Sequence, residues 1–160
     1  MFFQNADKEI LHFGNIVDEL YQFAQVNPTH KYDLVVGSDS QRRGLITTHA
    51  TVVFLWNLVT RKFRLFYNKE RIEHTGFLDL STRIITEATR SIEVASDLMN
   101  SKVVDLIGRD CFEVHLDVGY RGKSKKIINT VTGMVKGCGF EYKIKPDAWV
   151  ASCVADRLSK

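Results

Sequence analysis

Residues 115–126 read HLDVGYRGKSKK, and the role given to this turn decides what the rest of the chain is built around. An apolar run, FEVHLDV at 112–118, enters a turn closing on Gly122, Lys123 and Ser124, and a helical pattern follows. That is the layout of a nucleotide phosphate loop, G-x-x-x-x-G-K-[ST]. Counting back from Gly122, the first glycine of the pattern falls on position 117, which is Asp. Such a loop cradles phosphate in backbone N–H groups, and a carboxylate at its rim repels the ligand unless a metal ion intervenes. An NTPase would have to bind ATP through Lys123 despite Asp117. An acid at the C-terminal end of a central strand instead suits a divalent-metal ligand.

If Asp117 is a ligand, other carboxylates must reach it from the ends of neighbouring elements, and three are candidates. Asp39 ends the strand in VVGSDSQ (35–41), flanked by small residues. Glu87, in RIITEATRS (83–91), lies in the first half of a long helix beside its apolar face. Asp147, in IKPDAW (144–149), follows the last strand directly. Singly, each has an ordinary alternative: an N-cap for Asp147, a turn residue for Asp39 or Asp117, a solvated helix acid for Glu87. Together they carry more weight, because the order of elements brings all four toward one edge of a sheet.

That order follows from periodicity. Apolar residues at three- and four-residue spacings predict a helix over 7–26, ended by NPTHKY. Three runs rich in β-branched and aromatic residues predict strands at 32–39, 48–59 and 62–69, the last two joined as an antiparallel hairpin. A broad apolar face from Ile84 to Met99 predicts the longest helix, over 77–101. A strand at 111–118, a basic helix at 123–136, a strand at 140–145 and a final helix complete the chain. Strands separated by helices imply parallel crossovers, so the expected fold is α/β with a mixed five-stranded sheet.

Over nearly its whole length the chain resembles the bacterial and phage YkuK-like family of ribonuclease H-like proteins. The resemblance rests on YDLVVGSDSQ, RIITEATRS, HLDVGYRGKSKKIINTVTGMVKGCGF and KIKPDAWVASCVADRLSK. It implies a ribonuclease H-like domain over 1–160, with 1–28 as an N-terminal helical extension, and a D-E-D-D site in which Asp39, Glu87 and Asp117 are the first three acids. For the fourth, Asp147 is preferred as the acid nearest the strand end, and Asp156 is the alternative. Nine residues apart, the two would face opposite sides of one helix. The expected activity is two-metal phosphodiester hydrolysis with Mg²⁺ or Mn²⁺, because the ligands are hard oxygens without His or Cys. A catalytically silent nucleic-acid or protein-binding module on the same frame is the alternative.

The partner expected is nucleic acid, whether RNA, DNA or a hybrid. Arg121, Lys123, Lys125 and Lys126 put four cations in six residues beside Asp117, and Arg42 and Arg43 follow Asp39. Tyr120 is a weaker stacking candidate, Trp56 and Trp149 read as core, and His49 and His115 as hydrogen-bonded structural histidines. With 22 basic and 19 acidic residues the net charge of +3 is too small to indicate nucleic acid by itself. Hydrophobic residues at 44% and charged residues at 26% mark an ordinary globular chain with one core. No run is long enough to span a bilayer, and the first residues carry no signal pattern, so a cytoplasmic protein is expected. Cys111, Cys138 and Cys153, odd in number and set among apolar residues, are expected to be reduced core thiols.

Overall fold

The computed structural model describes every residue except Phe77 and Gly122. Its centre is a meander of three long strands, β3 (Tyr32–Arg43), β4 (Ile46–Asn57) and β5 (Phe63–Glu73). To keep the labels in chain order, β1 is Phe2–Gln4 and β2 is Ile10–His12. β3 and β5 each run four residues past their expected ends, and β4 starts and stops two residues earlier than expected. The β3–β4 turn is the two residues Gly44-Leu45, and Gly44 takes φ 61°, where a side chain would be strained. At the β4–β5 turn Asn57 Oδ1 accepts the N–H groups of Val59 and Thr60, each at 3.0 Å.

Helix α2 (Leu80–Met99) starts at Asp79, whose carboxylate accepts the Thr82 N–H at 3.0 Å as an N-cap. A short α3 (Lys102–Ile107) returns the chain to β6 (Phe112–Leu116), which lies parallel to β3. Helix α4 (Ile128–Gly137) then leads to β7 (Glu141–Lys143), parallel to β6. A π-helical segment, Val150–Ala155, passes into α5 (Asp156–Ser159).

The sheet has seven strands in the order β2-β1-β5-β4-β3-β6-β7, not the five expected. The two additional strands come from the N-terminal segment, which is not wholly helical: the hairpin β1–β2 precedes α1 (Phe13–Gln25). Asn5 reverses the hairpin, its Oδ1 accepting the N–H groups of Asp7 and Glu9 at 3.0 Å each. Gln4 pairs with Tyr67, so the hairpin extends the β5 edge. The other five strands have the expected arrangement, three antiparallel and two parallel.

Side chains alternate between the two faces of the sheet. Leu34 and Val36 of β3, with Val53, Leu55 and Phe66, form the larger core under α1, α2 and α4. Val35, Val52 and Phe54 form a smaller one under the C-terminal segment, against Val150 and Ala155. Toward its C-terminal end β3 changes from apolar to buried polar at Ser38, Asp39 and Ser40, and the candidate site is built there.

Gly37, just before this change, lets the C-terminal segment settle on β3. A Cβ there would lie 3.0 Å from Ala151 N and 3.2 Å from Ala151 Cβ. Gly37→Val should therefore push the segment off the sheet, at about 1–3 kcal/mol. Thermal unfolding followed by circular dichroism should show a midpoint lower by about 5 °C. An unchanged midpoint would mean that the close approach is not made.

Candidate functional site: buried acids at the end of the central strand

Asp39 points toward the C-terminal segment and is 7% exposed. Ser159 of α5 donates to its Oδ2 at 2.7 Å. Burial is the main reason its carboxyl is pushed up from 3.8 to about 6; the Ser159 hydrogen bond opposes this, and the charges of Asp117 and Asp156 add to it. Two acids from two other elements thus act on Asp39.

Glu87 approaches from the opposite face of β3, on α2. Ser40 donates to its Oε1 at 2.6 Å, and Arg83, one helical turn earlier, lies 4.0 Å from the same oxygen. Arg83 also donates from Nε to Ser40 Oγ at 3.0 Å and from its guanidinium to the Ser40 carbonyl. Further along, Ser91 Oγ donates to Ser38 Oγ and Ser38 Oγ to Thr51 Oγ1, each at 2.9 Å, which fixes α2 over β3 and β4. Glu87 is pushed up from 4.5 to about 8, chiefly by burial, with the charges of Asp39 and Asp117 adding and the Ser40 hydrogen bond and Arg83 opposing.

Asp117 follows β6 by one residue, at the end adjoining β3. Lys145 Nζ lies 2.9 Å from its Oδ1, close enough for an ion pair but outside hydrogen-bond angles. Asp156 opens α5 and pairs with Lys160 one turn on. Asp147 is exposed, and its charge acts on Lys143 of β7. The charge of Asp117 acts on Asp39 and Glu87 and that of Asp156 on Asp39, so these four acids form one electrostatic group. Among the described residues, no three His, Cys, Asp or Glu side chains stand close enough together to hold a metal ion.

The expected cations divide. Arg42 braces the fold, donating from Nε to the Gly44 carbonyl at 2.8 Å and from a guanidinium N–H to the Leu78 carbonyl at 3.0 Å. Arg43, the next residue, emerges on the opposite face. Arg121, Lys123, Lys125 and Lys126 are exposed beside Asp117, the three lysines on a 3₁₀ turn (Lys123–Ile127) that replaces the start of the expected helix. Gly122 lies outside the described residues.

His115 is fully buried and structural. Its Nδ1 accepts the Val150 N–H at 3.2 Å, which leaves Nε2 to donate to Glu113 Oε1 at 2.9 Å. It ties the start of the C-terminal segment to β6. His49 is also buried, and burial pushes it down to about 4, so it is neutral at pH 7. All three cysteines are free, but only Cys111 is partly buried; Cys138 and Cys153 are exposed and not core.

Sequence reasoning missed the groups that hold the acids: Ser40, Arg83, Lys145, Ser159 and Lys160. Two of them carry a local signal, since Arg83–Glu87 and Asp156–Lys160 are i, i+4 pairs on helices. Ser40, Lys145 and Ser159 meet their acids only through tertiary packing.

The chain belongs to the Ribonuclease H-like family, whose profile matches residues 15–160. Within it, the chain is 30% identical to the uncharacterized protein YkuK of Bacillus subtilis, over 99% of this chain and 96% of that one. The chain is a YkuK-like member of the family. No solved structure matches it. Among the described residues no helix is long and apolar enough to cross a membrane.

Proposed function

We propose that the protein is a divalent-metal-dependent nuclease that hydrolyses phosphodiester bonds, with Asp39, Glu87, Asp117 and Asp156 as its acids. The observation that supports this most is that Asp39 and Glu87 are raised at the buried end of the central strand, chiefly by burial, with the charge of Asp117 adding to both and that of Asp156 adding to Asp39. Such mutual repulsion is costly in a fold unless a cation relieves it. The donor set fits Mg²⁺ or Mn²⁺ in chemistry and charge, being all oxygen. Binding would compete with Lys145 and Lys160, which now sit on Asp117 and Asp156.

Two bound ions supply an activated water and stabilise the leaving oxygen. The chain's own groups prepare for that. Asp39, on which the charges of Asp117 and Asp156 both act, would be a ligand together with them. Ser159 and Ser40 fix the rotamers of Asp39 and Glu87, and Arg83 holds Ser40 in place. The exposed cations that follow Asp117 would take the phosphates flanking the scissile one. RNA, DNA and hybrid substrates all present the same bond to this site.

Cleavage of labelled single-stranded, duplex and hybrid substrates, in Mg²⁺, Mn²⁺ or EDTA, tests this reading. Asp156→Asn should lower the rate by about 100-fold or more, a loss of several kcal/mol of charge stabilisation. Asp147→Asn should stay within about twofold, since that carboxylate is exposed. The reverse ranking would return the fourth position to Asp147. One observation favours the second reading, a binding module: the two lysines already neutralise two of the four acids. Nucleic-acid binding unchanged in Asp39→Asn, with no cleavage under any metal condition, would establish that module.

A further inference from the structure

The face of the sheet that carries Asp39 is only partly covered by the C-terminal segment, and along β5 it stays open at both ends. Near Lys160 there is a groove of about 180 Å³ lined by Gln41, Arg43, Thr48, Lys69 and Arg71. Arg43, Lys69 and Arg71 are exposed, and among the described residues none has an ion-pair partner. Near Trp149 there is a second, apolar groove of about 480 Å³, lined by Phe54, Trp56, Phe63 and Trp149 with Arg61. The Trp56 and Trp149 rings stand edge to face, 6.1 Å apart; Arg61 lies over Trp56 at 5.4 Å, and Phe63 is 51% exposed.

The strand register joins the two grooves. Phe63, Leu65, Tyr67, Lys69 and Arg71 alternate onto this one face of β5, opposite Trp56, Phe54, Val52, Ala50 and Thr48 of β4. From Phe63 to Arg71 the strand covers about 27 Å. Ala50 is in turn opposite Asp39, so the basic end of this stripe lies beside the acids and the aromatic end is farthest from them.

From this geometry we infer that β5 is the docking lane for a single strand of nucleic acid, its phosphates on Arg43, Lys69 and Arg71 and its bases on the Trp56–Phe63–Trp149 groove. The lane deepens the nuclease proposal and rests on it for the position of the scissile bond. Unpaired cations are complementary to a polyanion, and an apolar groove edged by the exposed Phe63 ring takes bases that are unstacked, which a duplex does not offer. Its length suits a site at the short end of the roughly 4–16 nucleotides that one small binding domain covers.

The two tryptophans of the chain are both in the aromatic groove, so intrinsic fluorescence reports on the lane alone. Titration of labelled single-stranded and duplex oligonucleotides into the full chain in EDTA, followed by tryptophan quenching and by anisotropy, separates binding from cleavage. The single strand should quench tryptophan and bind at least tenfold more tightly than the duplex. Lys69→Glu with Arg71→Glu should reduce the salt slope by about 1.4, at about 0.7 per phosphate contact. Trp56→Ala should weaken binding about tenfold or more, and the exposed Phe63→Ser, which removes little core, serves if Trp56→Ala does not fold. Binding without quenching, or equal affinity for duplex, would overturn the lane whether or not the protein cleaves. So would a concentration-dependent dimer in sedimentation that Phe63→Ser dissolves, because the face would then be covered by a second copy. Quenching and binding without cleavage in metal would leave the lane standing and remove the nuclease.

Discussion

Asp39→Asn and Asp117→Asn proteins will fold and will lose metal-dependent cleavage by about a thousandfold or more. On the proposed function each would lose a charged oxygen ligand where the two-metal scheme places transition-state charge, worth several kcal/mol at about 1.4 kcal/mol per tenfold. Folding should survive. Asn keeps the shape of Asp, its side-chain oxygen still accepts from Ser159 at position 39, and at 117 the lost partner is the half-exposed Lys145. Removing a buried charge that its neighbours repel also takes away a destabilising contribution. Thermal midpoints equal to or above wild type, beside rates at background, are the expected pair of results. Rates within tenfold of wild type would remove these two acids from the chemistry.

In the metal-free protein, stability will fall as the pH rises from about 4.5 to about 8, and Glu87→Gln will abolish most of that fall. In the unfolded chain Glu87 titrates near 4.5, and in the fold near 8. Between those values the unfolded state has released its proton and the folded state has not. The unfolded state therefore binds fewer protons there, and unfolding becomes easier with rising pH. Below the window both states are protonated and the contribution is complete; above it the loss levels off. The displacement corresponds to roughly 5 kcal/mol, or about 10–20 °C for a chain of this size. Asp39, raised from 3.8 to about 6, adds a smaller fall at the acid end. Gln at position 87 can still accept from Ser40 and has no charge to desolvate, so its melting temperature should be nearly flat between pH 6 and 8, above the range in which Asp39 titrates. Parallel curves for the two proteins would show that Glu87 ionises normally in the fold.

Much of this site was legible in the chain, for identifiable reasons. Strand β3 announces itself by a β-branched run ending in small polar residues and α2 by a sustained apolar stripe from Ile84 to Leu98; Asp39 and Asp117 stand out by their places at strand ends, and Glu87 by its place in the first half of α2 beside that stripe. The N-terminal hairpin was not legible. Its strands are three residues long, and Ile10 falls into the same spacing as the helix that follows. Nor was the way the C-terminal segment reaches Asp39. The chain turns through a π-helical segment packed on Gly37, and α5 then brings Ser159 to Asp39. The β5 stripe was present in KFRLFYNKER as alternation. Which side of it stays open depends on where the C-terminal segment lies, and that is a property of packing.

The most direct test of the account is calorimetric titration of Mn²⁺ into the purified protein at pH 8, wild type beside Asp39→Asn and Asp117→Asn. The wild type should bind the ion and both variants should lose that binding, because the acids act as one site. Absence of binding in the wild type, or equal binding in all three proteins, would contradict it.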